Sequence, residues 1–243
     1  VPIGEDEEGH LYGFLRWPTP PGEMPLPIVR QIPGGVQLIA KSTDEMLHRE
    51  IARRDASSEE NPGALLLAAN RDEVLYEEGS VAMTGLPLSA YFLLKVGVPP
   101  SFFEELIQGH LERGDETVAM VTAERACSIA PGWGRPHAVR TQLLLQLMKL
   151  EEARDAARAA LLEPIWTLGS AFAPIARVAG WKDPITSAPY RELVEDDSKP
   201  ALDRAAHLMD AIAIEGGSWK ACRKPLAELY REANIEHLPT FID

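Results

Sequence analysis

Alanine recurs on one face of a predicted helix near the middle of the chain, and the same spacing returns 34 residues later. The six positions are Ala119, Ala123, Ala126, Ala153, Ala157 and Ala160. Residues three and four positions apart lie on the same face of an α-helix. A face made of methyl groups lets a neighbouring helix approach closely, because no larger side chain holds the two axes apart. The spacing therefore predicts pairs of closely packed helices.

The residues around the first three alanines follow the order of a known repeat. In a copy running over 100–133, Phe103 is the large residue of the first helix and Gly114 is the turn residue. This order resembles the tetratricopeptide repeat, a 34-residue unit of two antiparallel helices. A second copy over 134–167 keeps its alanines in phase, although Met148 replaces the turn glycine. The alternative is an ordinary helical bundle, in which alanine is present only as a strong helix former.

The resemblance implies a right-handed array of antiparallel helix pairs, in which each pair packs on the next. About three stacked units are needed for stability. The helices before residue 100 and after residue 167 are therefore expected to act as degenerate repeats and caps.

The first forty residues follow a different pattern. The segments "IVRQI" and "GVQLIAK" have alternating apolar residues and flank "PGG", which is typical of a β-hairpin. The aromatic segment "HLYGFLRW" adds a strand, and the acidic start "VPIGEDEEGH" is expected to be solvated chain. Ser42 and Glu45 have the spacing of a capping box and predict the start of a helix.

These patterns together predict an α+β fold that is mainly α. The predicted domain boundary follows residue 57, in the polar loop "DASSEENPG". A small antiparallel β-meander of about three strands and one helix occupy 1–57. The helical repeats and the C-terminal capping helices occupy 58–243, and the last of these helices is predicted to start at Pro225, because proline is favoured in the first turn of a helix.

In an array of this kind the first helices of the pairs line a concave groove, so the resemblance implies a protein-binding role. The candidates for partner contact are eight side chains on the first helices of the two copies. They are Phe103, Glu104, Ile107, Gln108, His110, His137, Arg140 and Thr141. One subclass of the family binds C-terminal carboxylates with lysine and asparagine, whereas Glu104 and Gln108 occupy the matching positions here. A carboxylate clamp is therefore disfavoured, and a basic or apolar partner segment is favoured.

Composition argues against several other classes of partner. The net charge of −13 repels a phosphate backbone, so nucleic acid is not expected to bind. The histidines lack i, i+4 spacing and the two cysteines are far apart, so neither a metal nor another cofactor is expected. Two isolated cysteines are typical of a reducing intracellular compartment. No run of 18 apolar residues predicts a transmembrane helix.

The segment "GFLRWPTPP", with the capped helix that follows, resembles plastid proteins of green photosynthetic cells. The chain begins at Val1 without a methionine, which fits removal of a transit peptide; a cytoplasmic location is the alternative. The expected function is noncatalytic: a scaffold, an assembly factor or an accessory subunit of a multi-subunit plastid complex. The residues do not distinguish these roles from a transient peptide-binding co-chaperone adaptor.

One motif indicates an enzyme instead. The segment "LLLAANRDEV", residues 65–74, resembles the Asn-Arg-Asp-Glu signature of a family related to a Golgi-organisation factor. That family is similar to N-terminal-nucleophile hydrolases, whose chemistry starts from an activated nucleophile. Val1 has no nucleophilic side chain, and no cysteine precedes Asn70. The hydrolase is therefore the alternative function, and no catalytic residue is assigned.

Overall fold

A computed structural model describes residues 2–5, 9–15, 27–32, 35–57, 76–97, 100–216 and 219–235. The strands are β1 (Pro2–Glu5), β2 (Leu11–Phe14), β3 (Ile28–Ile32) and β4 (Gly35–Ala40). The N-terminal helices are α1 (Thr43–Ser57), α2 (Ser80–Thr84) and α3 (Leu88–Tyr91), which continues as a π-helical turn (Phe92–Val96). The central helices are α4 (Pro100–Glu112), α5 (Glu116–Ile129), α6 (Gly134–Gln146), α7 (Leu150–Leu162) and α8 (Phe172–Ala179). The C-terminal helices are α9 (Ala188–Glu195), α10 (Ala201–Ile214) and α11 (Trp219–Glu232). The predicted mainly helical α+β class is confirmed.

The four strands pair in chain order as an antiparallel meander. The predicted hairpin is present, with Ile32 of β3 opposite Gly35 of β4. The meander has four strands where about three were predicted, because Pro2–Glu5 of the acidic start forms β1 and Glu5 pairs with Leu11 of β2. Gly4 and Glu5 are exposed, as expected of a solvated start. Strand pairing satisfies backbone N–H and C=O groups, so it does not require an apolar segment.

Helix α1 begins at the predicted capping box. The backbone N–H of Glu45 donates to Ser42 Oγ at 3.2 Å. In return, the Glu45 carboxylate accepts a hydrogen bond from the backbone N–H of Lys41 at 3.3 Å. The buried face of α1 packs on α2 and α3. The domain boundary predicted after residue 57 adjoins residues 58–75, which lie outside the described part of the chain, and it stays a prediction.

The alanines of the two predicted repeats face the interior. Each of the six is at most 2% exposed. Helix α4 packs on α5, α5 on α6, and α6 on α7. Ala119 and Ala123 of α5 lie in one cluster with Ile107 of α4 and Leu143 of α6, so the larger side chains come from the first helix of each pair. The predicted burial of the alanines is confirmed, while the tetratricopeptide-like arrangement stays a resemblance.

A short segment after α7 connects the sheet to the helices; we call residues 164–169 the junction segment. Gly35 of β4 lies so close to it that a Cβ atom on Gly35 would be 2.0 Å from the carbonyl oxygen of Trp166. The Trp166 ring packs edge-to-face on Trp133, with centroids 6.0 Å apart. Val29 and Leu38 of the sheet join this buried cluster. The sheet is therefore part of the same core as the helix pairs.

The junction segment also fixes the start of α6. The hydroxyl of Thr167, which is 2% exposed, accepts a hydrogen bond from the backbone N–H of Gly134 at 2.8 Å. The same hydroxyl donates to the carbonyl of Pro164 at 2.6 Å. A Cβ atom on Gly134 would lie 2.7 Å from Leu168 Cδ2. A side chain at position 134 would therefore require Leu168 to move, and it would also lie 3.0 Å from the carbonyl oxygen of Ala160.

Asp210 of α10 attaches the C-terminal helices to the junction segment. Its carboxylate accepts hydrogen bonds from the backbone N–H of Ile165, at 2.7 Å, and from that of Trp166. Burial raises the pKa of Asp210 to about 7, although the two hydrogen bonds act to lower it. A buried carboxylate is costly unless it is hydrogen-bonded, and here both donors come from the junction segment.

Arg204 of α10 connects the last three helices. Its guanidinium donates to the carbonyl of Val194 in α9 at 2.9 Å and pairs with Glu232 of α11 at 3.0 Å. Helix α11 begins six residues earlier than the sequence predicts, at Trp219 instead of Pro225. Pro225 lies inside the helix and is exposed, so the ring points towards solvent while Leu226 and Leu229 are buried.

Candidate protein-binding site

The eight side chains predicted to contact a partner differ in accessibility. Phe103 and Ile107 are 2% and 4% exposed, and Thr141 is fully buried. Phe103 packs on Ala126 of α5, and the Thr141 hydroxyl donates to the carbonyl of His137 one helical turn earlier, at 2.8 Å. These three side chains therefore stabilise the helix pairs. The assignment of the eight residues to a partner-binding groove stays a prediction. The other five candidate side chains are at least partly accessible to a partner.

Glu104 forms the main polar contact between the two first helices. Its carboxylate accepts two hydrogen bonds from the guanidinium of Arg135 in α6, both at 2.9 Å. The hydrogen bond to Glu104 raises the pKa of Arg135 above its usual value. Two parallel N–H···O bonds fix direction as well as distance. Arg135 was not among the predicted site residues, although its charge is complementary to that of Glu104 on the preceding first helix.

Gln108 and His110 lie further along α4. Gln108 is exposed, and its side-chain amide donates to Glu112 one turn later at 3.2 Å. His110 Nδ1 lies 3.0 Å from a guanidinium nitrogen of Arg113. These contacts are local to one helix and its turn, so both side chains are free to exchange them for contacts with another protein.

Arg140 lies on the side of α6 that faces α5, and His137 lies one helical turn before it. Arg140 pairs with Glu124 of α5 at 3.5 Å. Burial lowers the pKa of His137, and the nearby positive charge of Arg140 lowers it further. His137 is therefore neutral at physiological pH. The two residues are half-buried, and Arg140 connects the second helix pair to the first through Glu124.

The remaining candidate chemistry finds little support in the described residues. Burial raises the pKa of Cys127 to about 11 and also raises that of Cys222, so neither thiol is activated. No three His, Cys, Asp or Glu side chains are grouped to hold a metal ion within the described part of the chain. Residues 65–74, which carry the hydrolase-like motif, lie outside it. No helix among the described residues is long and apolar enough to cross a membrane.

Three family models match consecutive parts of the chain. The PAB N-terminal model matches residues 1–96, the PAB middle domain residues 100–182 and the PAB C-terminal domain residues 195–243. A relative in Arabidopsis thaliana, Protein IN CHLOROPLAST ATPASE BIOGENESIS, chloroplastic, is 35% identical over a 257-residue alignment that covers all of this chain and 77% of the relative. The chain belongs to the PAB family. No solved structure matches it.

The PAB family models divide the chain differently from the prediction based on repeats. The predicted repeats at 100–133 and 134–167 lie inside the PAB middle domain. Gly35 belongs to the PAB N-terminal part and Asp210 to the C-terminal domain, and both contact the junction segment in the middle domain. In this chain, residues from the N-terminal and C-terminal parts therefore both contact the junction segment of the middle domain.

Proposed function

We propose that this protein is a noncatalytic assembly factor for the chloroplast ATPase, acting inside the plastid on subunits that have not yet been assembled. The observation that carries the proposal is the 35% identity, over the whole chain, to a protein named for chloroplast ATPase biogenesis. Biogenesis describes the making of a complex. It therefore favours an assembly factor over a permanent accessory subunit or a general co-chaperone adaptor.

In this proposal the helix pairs form a tetratricopeptide-like, right-handed array, and the first helices α4 and α6 provide the partner-binding groove. The buried alanines support this arrangement, because they bring the helices close together and leave the opposite faces of the helices to solvent. The accessible groove side chains are Glu104, Gln108 and His110 of α4. In α6 the half-buried side chains are His137 and Arg140, and Arg140 pairs with Glu124 of the first helix pair.

The test compares isolated subunits with the finished complex. The purified chain is mixed with each purified chloroplast ATPase subunit, and separately with the assembled ATPase, and complexes are separated by size-exclusion chromatography with light scattering. We expect a complex with at least one isolated subunit and none with the assembled enzyme. Co-elution with the assembled ATPase would instead identify an accessory subunit, and binding to neither preparation would refute the proposal.

A second measurement addresses the same function in cells. The chain, carrying a plastid-targeting peptide, is expressed in Arabidopsis thaliana plants that lack the 35%-identical relative. We expect chloroplast ATPase, measured on native gels, to rise towards the wild-type amount. Stable accumulation of the chain in plastids without any rise would contradict the proposal.

A further inference from the structure

The two turns that close the helix pairs lie at the same end of the array. The first turn, residues 113–115, joins α4 to α5, and the second, residues 147–149, joins α6 to α7. Leu111, Met120 and Leu147 pack in one cluster, which brings the end of α4, the start of α5 and the end of α6 together. We call this the turn end, comprising residues 111–121 and 147–154. The opposite end carries Trp133 and Trp166, which contact the sheet.

The turn end carries exposed apolar side chains. Of the eight large apolar side chains that are exposed among the described residues, four belong to it. They are Val118 (45% exposed), Val121 (59%), Met148 (76%) and Leu150 (55%). Single exposed apolar residues are ordinary, but here half of those found among the described residues lie at one end of the array.

Met148 has a backbone conformation that disfavours its own side chain. Its φ is +59°, in the left-handed region. It ends α6 with hydrogen bonds from its own N–H to the carbonyl of Leu145, at 3.1 Å, and from the N–H of Lys149 to that of Leu144, at 2.9 Å. This is the pattern of a Schellman motif, where glycine is the preferred residue, and Gly114 fills the corresponding position of the first turn with φ +78°. A strained residue held by its surroundings is a reason to look for a functional role.

The charges around these apolar side chains favour a basic partner. Residues 111–121 and 147–154 contain five acids and three bases, which leaves a net charge of −2. Each base is already paired with an acid: Arg113 with Asp115, Lys149 with Glu152, and Arg154 with Glu151. Glu112 and Glu116 have no base paired to them among the described residues. The rim of the turn end is therefore negative, within a chain of net charge −13.

We propose that the turn end is the docking surface for an apolar segment flanked by basic residues, carried by an unassembled chloroplast ATPase subunit. The proposal rests on the assembly-factor function proposed above. Surfaces that become buried between subunits are apolar in the isolated subunit, and an apolar surface on the assembly factor shields them from water. Met148 and Leu150 pack against the apolar side chains of the segment. The acidic rim selects partners with positive charge and increases their rate of association.

Substitutions at the turn end test the proposal with the ATPase subunit that the wild-type chain binds. Met148→Gly removes the side chain and suits the backbone, so the double variant Met148→Gly, Leu150→Ser should remain folded. We expect this variant to bind the subunit about ten-fold more weakly or worse, with a melting temperature equal to or above that of the wild type. The control is Leu162→Ser, because Leu162 is 87% exposed at the far end of α7; its affinity should stay within about two-fold.

The outcomes separate the two proposals. If the wild-type chain binds no ATPase subunit, the assembly-factor function fails. If it binds and the double variant binds equally well, the assembly-factor function stands and the turn-end docking surface is refuted. If the wild-type chain dimerises through the turn end and the double variant is monomeric, the occupant is a second copy of this chain, and the proposal is also refuted.

An independent probe tests the surface without any ATPase subunit. An 18-residue amphipathic helical peptide with leucines on one face and lysines on the other is added to the full chain, and a glutamate version is the control. We expect the lysine peptide to slow amide hydrogen exchange in residues 113–121 and 146–154, more strongly at low than at high salt. Equal protection by both peptides, or protection elsewhere only, would overturn the proposed chemistry of the surface.

Discussion

The contact between Gly35 and the junction segment leads to a quantitative prediction. In the variant Gly35→Ala, the new methyl group would be 2.0 Å from the carbonyl oxygen of Trp166 and 3.0 Å from its carbonyl carbon. Overpacking a core costs about 1–3 kcal/mol when side chains can adjust. Here the obstacle is backbone, held by the hydrogen bonds of Asp210 and Thr167, so we expect about 3 kcal/mol or more.

The assay is equilibrium unfolding in urea, followed by far-UV circular dichroism and by tryptophan fluorescence, because Trp133 and Trp166 lie at the affected contact. A loss of about 3 kcal/mol corresponds to a fall in melting temperature of roughly 6–12 °C for a chain of this size. The matched control is Gly4→Ala in β1, where nothing lies within 4 Å of the added Cβ. The control should change the free energy of unfolding by less than about 0.5 kcal/mol.

The result that refutes this reasoning is equal stability of the two variants. If the free energies of unfolding of Gly35→Ala and Gly4→Ala differ by less than about 0.5 kcal/mol, the sheet is not held tightly against the junction segment. A stable Gly35→Ala variant whose tryptophan fluorescence is shifted would have the same meaning, because the sheet would then have moved away without cost.

Three further predictions concern the charged and small side chains of the core. The pKa of Asp210 is raised from 3.8 to about 7, so between these pH values the folded chain binds one proton more than the unfolded chain. Its free energy of unfolding therefore falls as pH rises through that window, by at most about 4 kcal/mol. In urea titrations, Asp210→Asn should gain stability relative to the wild type between pH 5 and pH 8, and a difference that stays constant with pH would contradict this. Arg135→Ala should lower the free energy of unfolding by about 1 kcal/mol. In a double-mutant cycle with Glu104→Gln, most of this loss should appear as coupling energy between the two residues, and the coupling should weaken in 1 M salt. Additive effects would mean that this ion pair does not contribute to stability. Ala123→Leu should lower the free energy of unfolding by about 1–3 kcal/mol in the same titrations, because it forces α5 away from its neighbours. The control, Ala206→Leu on the exposed face of α10, should change it by less than about 0.5 kcal/mol. Equal losses of stability in the two variants would mean that the alanine face is not closely packed.

The alanine spacing was sufficient to predict the buried face of α5 and α7, because helical periodicity is a local property of the sequence. The hairpin of β3 and β4 and the cap of α1 were predictable for the same reason. Strand β1 was not, since its four residues are too few to show alternation and their pairing depends on β2. Helix α11 was predicted to start at Pro225, although the earlier residues continue the helix while the proline faces solvent.

The candidate site was less predictable than the fold. Phe103, Ile107 and Thr141 were predicted to contact a partner, but in the structure these side chains form the core between helices. The Glu104–Arg135 pair joins residues 31 positions apart and the Asp210–Ile165 bond residues 45 apart. Periodicity within one helix carries no information about such contacts, because they depend on how separate elements are brought together.

The junction segment restricts how PAB proteins can be recombined. A chimera that takes its N-terminal part from one relative and its middle domain from another must fit a foreign Gly35 position against a foreign Trp166 carbonyl. A chimera at the other boundary must match Asp210 to two foreign backbone amides. Such chimeras should therefore be unstable unless residues 164–169 come from the same relative as the residues at positions 35 and 210 that contact them. When the three parts are combined, these positions and residues 164–169 should be exchanged together.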